Sequence, residues 1–233
     1  MIGHRGAPGT APENTLASFR NAIDAGADGI EFDIHLTGDN RLVVMHDTNV
    51  DRCTDGTGPV AEHSLDDLRR LDAGGWFGSA FSGERVPAFT EALEVMRERV
   101  LPLVEIKAQT DRDAAHLASL ILAELDSLEM RRDVVLHSFD PALVAALYEA
   151  DSGLALAITF KEEVVPPAWI GGVHPQATLV TAPLVEAAHA AGRWVCTWTV
   201  NTENAVQQLA DLEVDGIMTD DPVMAITAIS NAE

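Results

Sequence analysis

The sequence contains few cysteines, almost no lysine and no long apolar segment. Its two cysteines, Cys53 and Cys196, are far apart and lack metal-binding spacing, so we expect both to be reduced thiols. No apolar run approaches the roughly 18 residues that a membrane-spanning helix requires. The N-terminal segment lacks a basic region followed by an apolar one, so no signal peptide is expected. These absences favour a cytoplasmic protein without a membrane span.

Positive charge is also scarce. The chain has 37 Asp and Glu residues against 15 Lys and Arg residues, which gives a net charge of −22, and its lysines are Lys107 and Lys161. A field this negative disfavours nucleic acid and anionic membrane surfaces as partners. An enzyme of this composition that acts on a phosphate would need local positive charge, from a metal ion or from a few well-placed Arg and Lys residues.

Strand-like and helix-like segments alternate along the 233 residues, a length typical of one α/β barrel. Strands are predicted near residues 2–4, 29–34, 103–106, 134–138, 154–159, 169–174, 194–199 and 216–219, with a further extended piece at 41–46. Helices are predicted at 13–25, 114–128, 141–150, 183–191, 202–212 and 222–229. Eight strands that alternate with helices predict an α/β fold of the TIM (β/α)8 barrel type, with residues 1–233 as a single domain.

Residues 47–87 interrupt this alternation. The segment is rich in Gly, Asp, Thr and Ser, with one short helical pattern at 65–71. It is too long for an ordinary strand-to-helix loop. We expect a small insertion after the second strand that lies over the C-terminal mouth of the barrel, because it begins directly after His46, a candidate catalytic residue.

Two strands carry charged side chains on one face. Glu31 and Asp33 are two residues apart in a strand, so both carboxylates point to the same side. Glu105 and Lys107 repeat this spacing at the end of the third strand. An ion-paired strand end is the simpler interpretation of each pair. However, polar residues at the C-terminal ends of barrel strands form active sites. Three carboxylates together suit Ca²⁺ or Mg²⁺ better than zinc.

Two histidines lie where apolar strands meet loops. His4 ends the first strand and His46 ends the extended piece before the insertion. A lone histidine in such a place is more often structural, but two near a carboxylate cluster suggest a proton acceptor and a proton donor for hydrolysis. Arg5 can offer two parallel N–H groups to a phosphate. Trp198 at a later strand end is a candidate wall of the pocket, with core packing as the alternative, and His137 is expected to play a supporting role.

Several short motifs occur in order along nearly the whole chain, from Gly3 to Pro222. They resemble the motifs of glycerophosphodiester phosphodiesterases. The motifs are His4-Arg5-Gly6, Pro12-Glu13-Asn14-Thr15, Glu31-x-Asp33, His46-Asp47, Arg52-Cys53-Thr54-x-Gly56-x-Gly58, Glu105-Ile106-Lys107, His137-Ser138-Phe139, Trp198-Thr199-Val200-Asn201 and Asp215-Gly216-Ile217-x-Thr219-Asp220. Each motif is weakly specific alone, whereas the ordered set is highly specific.

The resemblance implies a TIM barrel with an insertion after the second strand, and hydrolysis of a glycerophosphodiester to glycerol 3-phosphate and an alcohol. It implies one divalent cation, Ca²⁺ or Mg²⁺, and the following roles. The implied metal ligands are Glu31, Asp33 and Glu105; the implied acid–base pair is His4 and His46; and the implied phosphate-binding residues are Arg5 and Lys107. The chain departs from the family in its very short first strand and in Cys53, where Thr is frequent.

Two alternatives remain at this point. A related phosphodiesterase or lyase on the same barrel, like phospholipase D toxins or phosphoinositide phospholipases, would stop at a cyclic phosphate. A non-catalytic barrel would only bind phosphate or metal, although neither a histidine nor a carboxylate of the set is missing. The sequence selects neither the alcohol group, nor the attacking group, nor the oligomeric state.

Overall fold

The computed structural model describes residues 1–108 and 113–231. Nine strands form one sheet. They are β1 (Ile2–His4), β2 (Gly29–Leu36), β3 (Leu42–Val44), β4 (Leu101–Ile106), β5 (Val135–Ser138), β6 (Ala155–Phe160), β7 (Gly172–Pro175), β8 (Trp194–Thr197) and β9 (Gly216–Thr219).

Eight of these strands close into a parallel barrel. The first strand pairs in parallel with β2, where Ile2 lies opposite Gly29, and with β9, where Ile2 lies opposite Met218. The pairs from β4 round to β9 are also parallel, as is the pair β2–β4. The short strand β3 lies outside the barrel and runs antiparallel to the end of β2, with Val44 opposite Ile34. The predicted TIM barrel is therefore confirmed.

Eight α-helices accompany the strands in the described part of the chain. They are α1 (Leu16–Asp24), α2 (Leu65–Leu68), α3 (Phe89–Met96), α4 (Ala114–Ser127), α5 (Pro141–Ala150), α6 (Ala182–Ala190), α7 (Glu203–Asp211) and α8 (Pro222–Ser230). Most begin at a residue whose side chain accepts a hydrogen bond from the first turn, such as Thr15 and Asp140. Such caps satisfy backbone N–H groups that have no partner within the helix. No helix of the described residues is long and apolar enough to cross a membrane.

The structure differs from the sequence prediction in one additional helix and at the ends of several elements. Helix α3 was not predicted, because its N-cap position is Ala88, although Glu91 accepts a hydrogen bond from the Ala88 N–H. Strand β7 begins at Gly172 rather than at residue 169, and β8 ends at Thr197 rather than at residue 199. The 161–171 connection between β6 and β7 contains turns and no helix.

The alternation of side chains in β2 separates the core from the site. Ile30, Phe32 and Ile34 are fully buried between the sheet and the helices. The Phe32 ring centroid lies 5.5 Å from that of Phe19 in α1 and 6.1 Å from that of Phe89 in α3. The intervening β2 residues therefore point into the barrel, where they meet the side chains of the neighbouring strands.

The insertion at residues 47–87 packs on a small core in which its residues Val50, Leu65, Leu68 and Val86 join Val43 of β3. It begins directly after His46, and the N–H of the preceding Met45 donates to Asp33 O near the C-terminal end of β2. Arg52 then contacts Glu13 in the loop that follows β1. Both contacts are at the C-terminal end of the barrel, where the insertion was predicted to lie.

Candidate active site

Three buried carboxylates meet inside the barrel. Glu31 and Asp33 come from β2, and Glu105 on β4 lies directly opposite Asp33 in the strand pairing. One oxygen of each carboxylate lies within 4.8 Å of the others. The residues are 2%, 1% and 8% exposed, respectively. A set of oxygen donors at this spacing, removed from water, can hold a hard divalent cation.

Burial and mutual repulsion perturb these carboxylates in different directions. Burial and the charge of Asp33 raise the pKa of Glu31 well above its usual range, and the pKa of Glu105 is raised for the same two reasons. Burial also tends to raise the pKa of Asp33, but the neighbouring positive charges of Lys107 and Arg5 outweigh this effect and lower the pKa of that carboxyl. Without further positive charge, the cluster therefore favours one or more protonated carboxyl groups.

Two cations and an amide contact the cluster. Lys107 Nζ lies 2.7 Å from Asp33 Oδ1 and also contacts Glu105 Oε1. Arg5 Nε lies 3.4 Å from Asp33 Oδ2, and the Arg5 backbone N–H donates to Glu31 Oε2 at 3.2 Å. Asn14 Nδ2 donates to Asp33 Oδ2 at 2.8 Å. Two of the 15 basic residues of this acidic chain, Arg5 and Lys107, thus lie at the carboxylate cluster and supply local positive charge there.

Each of the two candidate histidines is held through Nδ1 by a carboxylate. His4 Nδ1 donates to Asp220 Oδ1 at 2.7 Å, and His46 Nδ1 donates to Asp47 Oδ1 at 2.6 Å. This arrangement leaves the Nε2 atom of each ring for substrate, and His4 Nε2 lies 4.0 Å from Glu31 Oε2. A carboxylate on one ring nitrogen fixes both the tautomer and the orientation of an imidazole.

The two histidines have pKa values shifted in opposite directions. Burial lowers the pKa of His4, but the hydrogen bond with Asp220 and the charge of Glu31 outweigh it and raise the value. Burial lowers the pKa of His46. The charge of Asp33 opposes this effect, but the positive charges of Lys107 and Arg5 add to it, and the net shift is downward. The His4 ring therefore holds a proton more readily than an ordinary histidine, and the His46 ring holds one less readily.

A cavity of about 150 Å³ connects these groups. It is lined by most of the residues singled out from the sequence: His4, Arg5, Glu31, His46, Glu105, Lys107 and Trp198. Phe139 packs edge-on against Trp198, with ring centroids 5.3 Å apart, and gives the cavity an aromatic wall. The structure thus brings together every candidate site residue, with Asp33 bound to Lys107 just behind the lining.

Comparisons with known proteins identify the family of this chain. The model of the glycerophosphoryl diester phosphodiesterase family matches residues 4–224. The chain belongs to this family. A relative from Caldanaerobacter subterraneus subsp. tengcongensis, named glycerophosphodiester phosphodiesterase, is 33% identical over 236 residues, covering 98% of this chain and 97% of the relative.

Solved structures of other proteins share the fold over nearly the whole chain. An Oleispira antarctica phosphodiesterase in complex with the product sn-glycerol-3-phosphate superimposes with a TM-score of 0.89 at 27% identity, covering 98% of this chain and 96% of that one. A glycerophosphodiester phosphodiesterase from Agrobacterium tumefaciens gives a TM-score of 0.83 at 29% identity, with 96% and 97% covered. The chain therefore has the same overall barrel fold as these solved structures.

Several residues around this cavity were not assigned roles from the sequence. Asp220 and Asp47 hold the two histidines, and Glu13 accepts from Arg5 Nη1 at 2.8 Å. All three belong to the motifs quoted above. Membership of a motif was the only sequence indication of their role, because contacts between distant loops leave no periodic pattern in the sequence.

His137 also contributes directly to the cavity wall, whereas the sequence favoured a supporting role for it. Its Nδ1 lies 2.9 Å from Thr159 Oγ1, and burial lowers the pKa of His137 well below the usual histidine value. It therefore lines the site as a neutral ring.

Proposed function

We propose that this chain hydrolyses glycerophosphodiesters to glycerol 3-phosphate and an alcohol, with one bound Ca²⁺ or Mg²⁺. The observation that carries the proposal is the single cavity in which the Glu31–Asp33–Glu105 cluster adjoins His4 and His46. The Oleispira antarctica relative in complex with sn-glycerol-3-phosphate supports the identity of the product.

The carboxylate cluster fits a hard cation in number and in chemistry. Its oxygens lie within 4.8 Å of one another. Burial, together with the negative charge of Asp33, raises the pKa values of Glu31 and Glu105. We propose Glu31, Asp33 and Glu105 as the ligands, because calcium and magnesium prefer carboxylate oxygen to imidazole nitrogen. When bound, the cation would supply Lewis-acid stabilisation of the phosphate oxygens.

Arg5 and Lys107 are proposed to bind the phosphate. Arg5 is 18% and Lys107 17% exposed at the side chain, so their charges act in a partly dehydrated cavity. Charge-assisted hydrogen bonds are strongest where water is excluded, and guanidinium groups suit phosphate oxygens well. Trp198 and Phe139 would form the apolar wall against which the organic part of the substrate lies.

The two histidines are proposed to transfer protons on opposite sides of the phosphorus. His46 has a lowered pKa, so its neutral ring can take the proton of the attacking oxygen. His4, held by Asp220, would donate a proton to the oxygen of the departing alcohol. The attacking oxygen belongs either to water or to the neighbouring glycerol hydroxyl, and the second route passes through a cyclic phosphate.

Single substitutions test this assignment. We expect His4→Ala and His46→Ala each to reduce the release of glycerol 3-phosphate by roughly 10²–10⁴-fold, because general acid–base catalysis typically contributes that much. Metal affinity, measured by titration calorimetry, should change little in both. His116→Ala is the matched control, since His116 is exposed on α4. Loss of metal binding in His4→Ala or His46→Ala, or turnover within a few-fold of the parent, would show that the roles are wrong.

A further inference from the structure

One arginine of the insertion joins two carboxylates that come from different loops. Arg52 Nε donates to Asp47 Oδ2 at 2.6 Å, and Arg52 Nη2 also donates to Asp47 Oδ1 at 3.1 Å. The same guanidinium makes a paired contact with Glu13, from Nη1 to Oε2 and from Nη2 to Oε1, both at 2.8 Å. Each carboxylate is therefore held by two hydrogen bonds from one planar group, the geometry for which arginine is best suited.

Both carboxylates also contact the proposed catalytic machinery. Asp47 Oδ1 accepts from His46 Nδ1 at 2.6 Å, and Glu13 Oε1 accepts from Arg5 Nη1 at 2.8 Å. A continuous series of ion pairs thus runs from His46 through Asp47, Arg52 and Glu13 to Arg5. Arg52 is its central member and does not line the cavity itself.

We propose that Arg52 is a positioning residue, which fixes the His46 ring and the Arg5 guanidinium relative to each other and couples the insertion to the assembly of the active site. The inference rests on the proposed roles of His46 and Arg5, and it adds a function for the insertion beyond covering the barrel mouth.

Electrostatics explain why the central cation matters. Glu13 and Asp47 carry like charges, and Arg52 draws both to one guanidinium. The hydrogen bond from Arg52 contributes most to holding the pKa of Asp47 at about 2. Without Arg52 the two carboxylates would repel each other. Because each is bound to a site residue, their separation would move the His46 ring away from the Arg5 guanidinium.

Displacements of this kind affect turnover more than folding. A misplacement of about 1 Å in an active site can reduce the rate about 10²-fold, and loss of partners that orient primary groups costs about 10–100-fold. We therefore expect Arg52→Gln to lower kcat by about 10–100-fold. The affinity for Ca²⁺ or Mg²⁺ should stay close to that of the parent, because the hydrogen bonds of Arg52 go to Asp47 and Glu13 and not to the carboxylate cluster. Arg52→Lys should restore only part of the loss, because an ammonium group cannot make paired contacts with two carboxylates.

The insertion offers a matched control. Arg70 Nη1 donates to Asp67 Oδ1 at 3.0 Å, and both side chains are exposed. Arg70→Gln removes the same charge from the same insertion without touching the site, so its kcat should stay within about twofold of the parent.

A spectroscopic measurement separates positioning from general stability. In the full-length protein, the ¹⁵N resonance of His46 Nδ1 should shift in Arg52→Gln and Arg52→Lys but not in Arg70→Gln. If Arg52→Gln does not fold, the same kcat and NMR measurements are made on Arg52→Lys and Glu13→Gln. The proposal is overturned if folded Arg52 variants keep the parent kcat and the parent His46 signal while His46→Ala is inactive. Full activity of His46→Ala would instead refute the proposed function.

Discussion

Replacing Lys107 with Met removes a cation that lies between two buried carboxylates and keeps most of the aliphatic side chain. Lys107 Nζ is 2.7 Å from Asp33 Oδ1 and also contacts Glu105 Oε1. At 2.7 Å, Coulomb's law with an effective dielectric constant of about 20 gives about 6 kcal/mol for the first pair. Relief of lysine desolvation and the remaining charge of Arg5 offset part of this energy. Because removing one partner of a buried ion pair typically costs about 3–5 kcal/mol, we expect Lys107→Met to lower the unfolding free energy of the metal-free protein by that amount.

Urea denaturation of the chelator-treated protein, followed by circular dichroism, measures the effect. A second series with Ca²⁺ or Mg²⁺ should show a larger stabilisation of Lys107→Met than of the parent, because the cation replaces the missing positive charge. The control is Lys161→Met, since Lys161 is exposed, and it should lie within about 0.5 kcal/mol of the parent. A metal-free Lys107→Met protein as stable as the parent would refute the reasoning.

Three further predictions concern protonation and the insertion. In the metal-free protein, NMR titration should give His4 a pKa above the ordinary histidine value, so that its protonated form persists to higher pH. Asp220→Asn should lower this pKa, because it weakens the hydrogen bond that raises it. An unchanged pKa in Asp220→Asn would contradict that cause. Because the pKa of Glu31 is raised, binding of the cation should release up to about one proton near pH 7, and affinity should rise with pH until Glu31 is ionised. Calorimetry in buffers with different ionisation enthalpies measures the release, and finding none would argue against Glu31 as a ligand. Leu68→Ala removes a fully buried side chain from the core of the insertion. It should lower the free energy of unfolding, measured by chemical denaturation, by about 2–5 kcal/mol, and a loss below about 1 kcal/mol would contradict that packing.

The carboxylate cluster could be predicted because it depends on strand periodicity. In a strand, residues two apart share a face, so Glu31 and Asp33 had to point to one side once Ile30 and Phe32 were assigned to the core. The closed parallel barrel then brought Glu105 beside Asp33 in register. The same logic placed His4 at the end of β1. Local pattern and fold class together were therefore enough for these residues.

Contacts between loops could not be predicted in this way. Asp220 is 216 residues from His4 in sequence, and Arg52 is 39 residues from Glu13. Their pairing depends on the packing of loops at the barrel mouth, for which the sequence contains no periodic signal. Helix α3 was not predicted because it lacks the usual capping side chain before its first turn. The Glu91 side chain instead accepts a hydrogen bond from the Ala88 N–H. The residues that orient the site are consequently harder to find than those that form it.

Phosphorus NMR tests the central claim most directly. The pure protein would be treated with a chelator, then supplied with Ca²⁺ or Mg²⁺ in the presence of glycerophosphocholine, glycerophosphoethanolamine, glycerophosphoglycerol and glycerophosphoinositol. We predict that the glycerol 3-phosphate signal grows only after addition of the cation, with at least one of these substrates. Equal product formation in the chelated sample, accumulation of a cyclic phosphate as the final product, or no turnover of any substrate would contradict metal-dependent hydrolysis at this site.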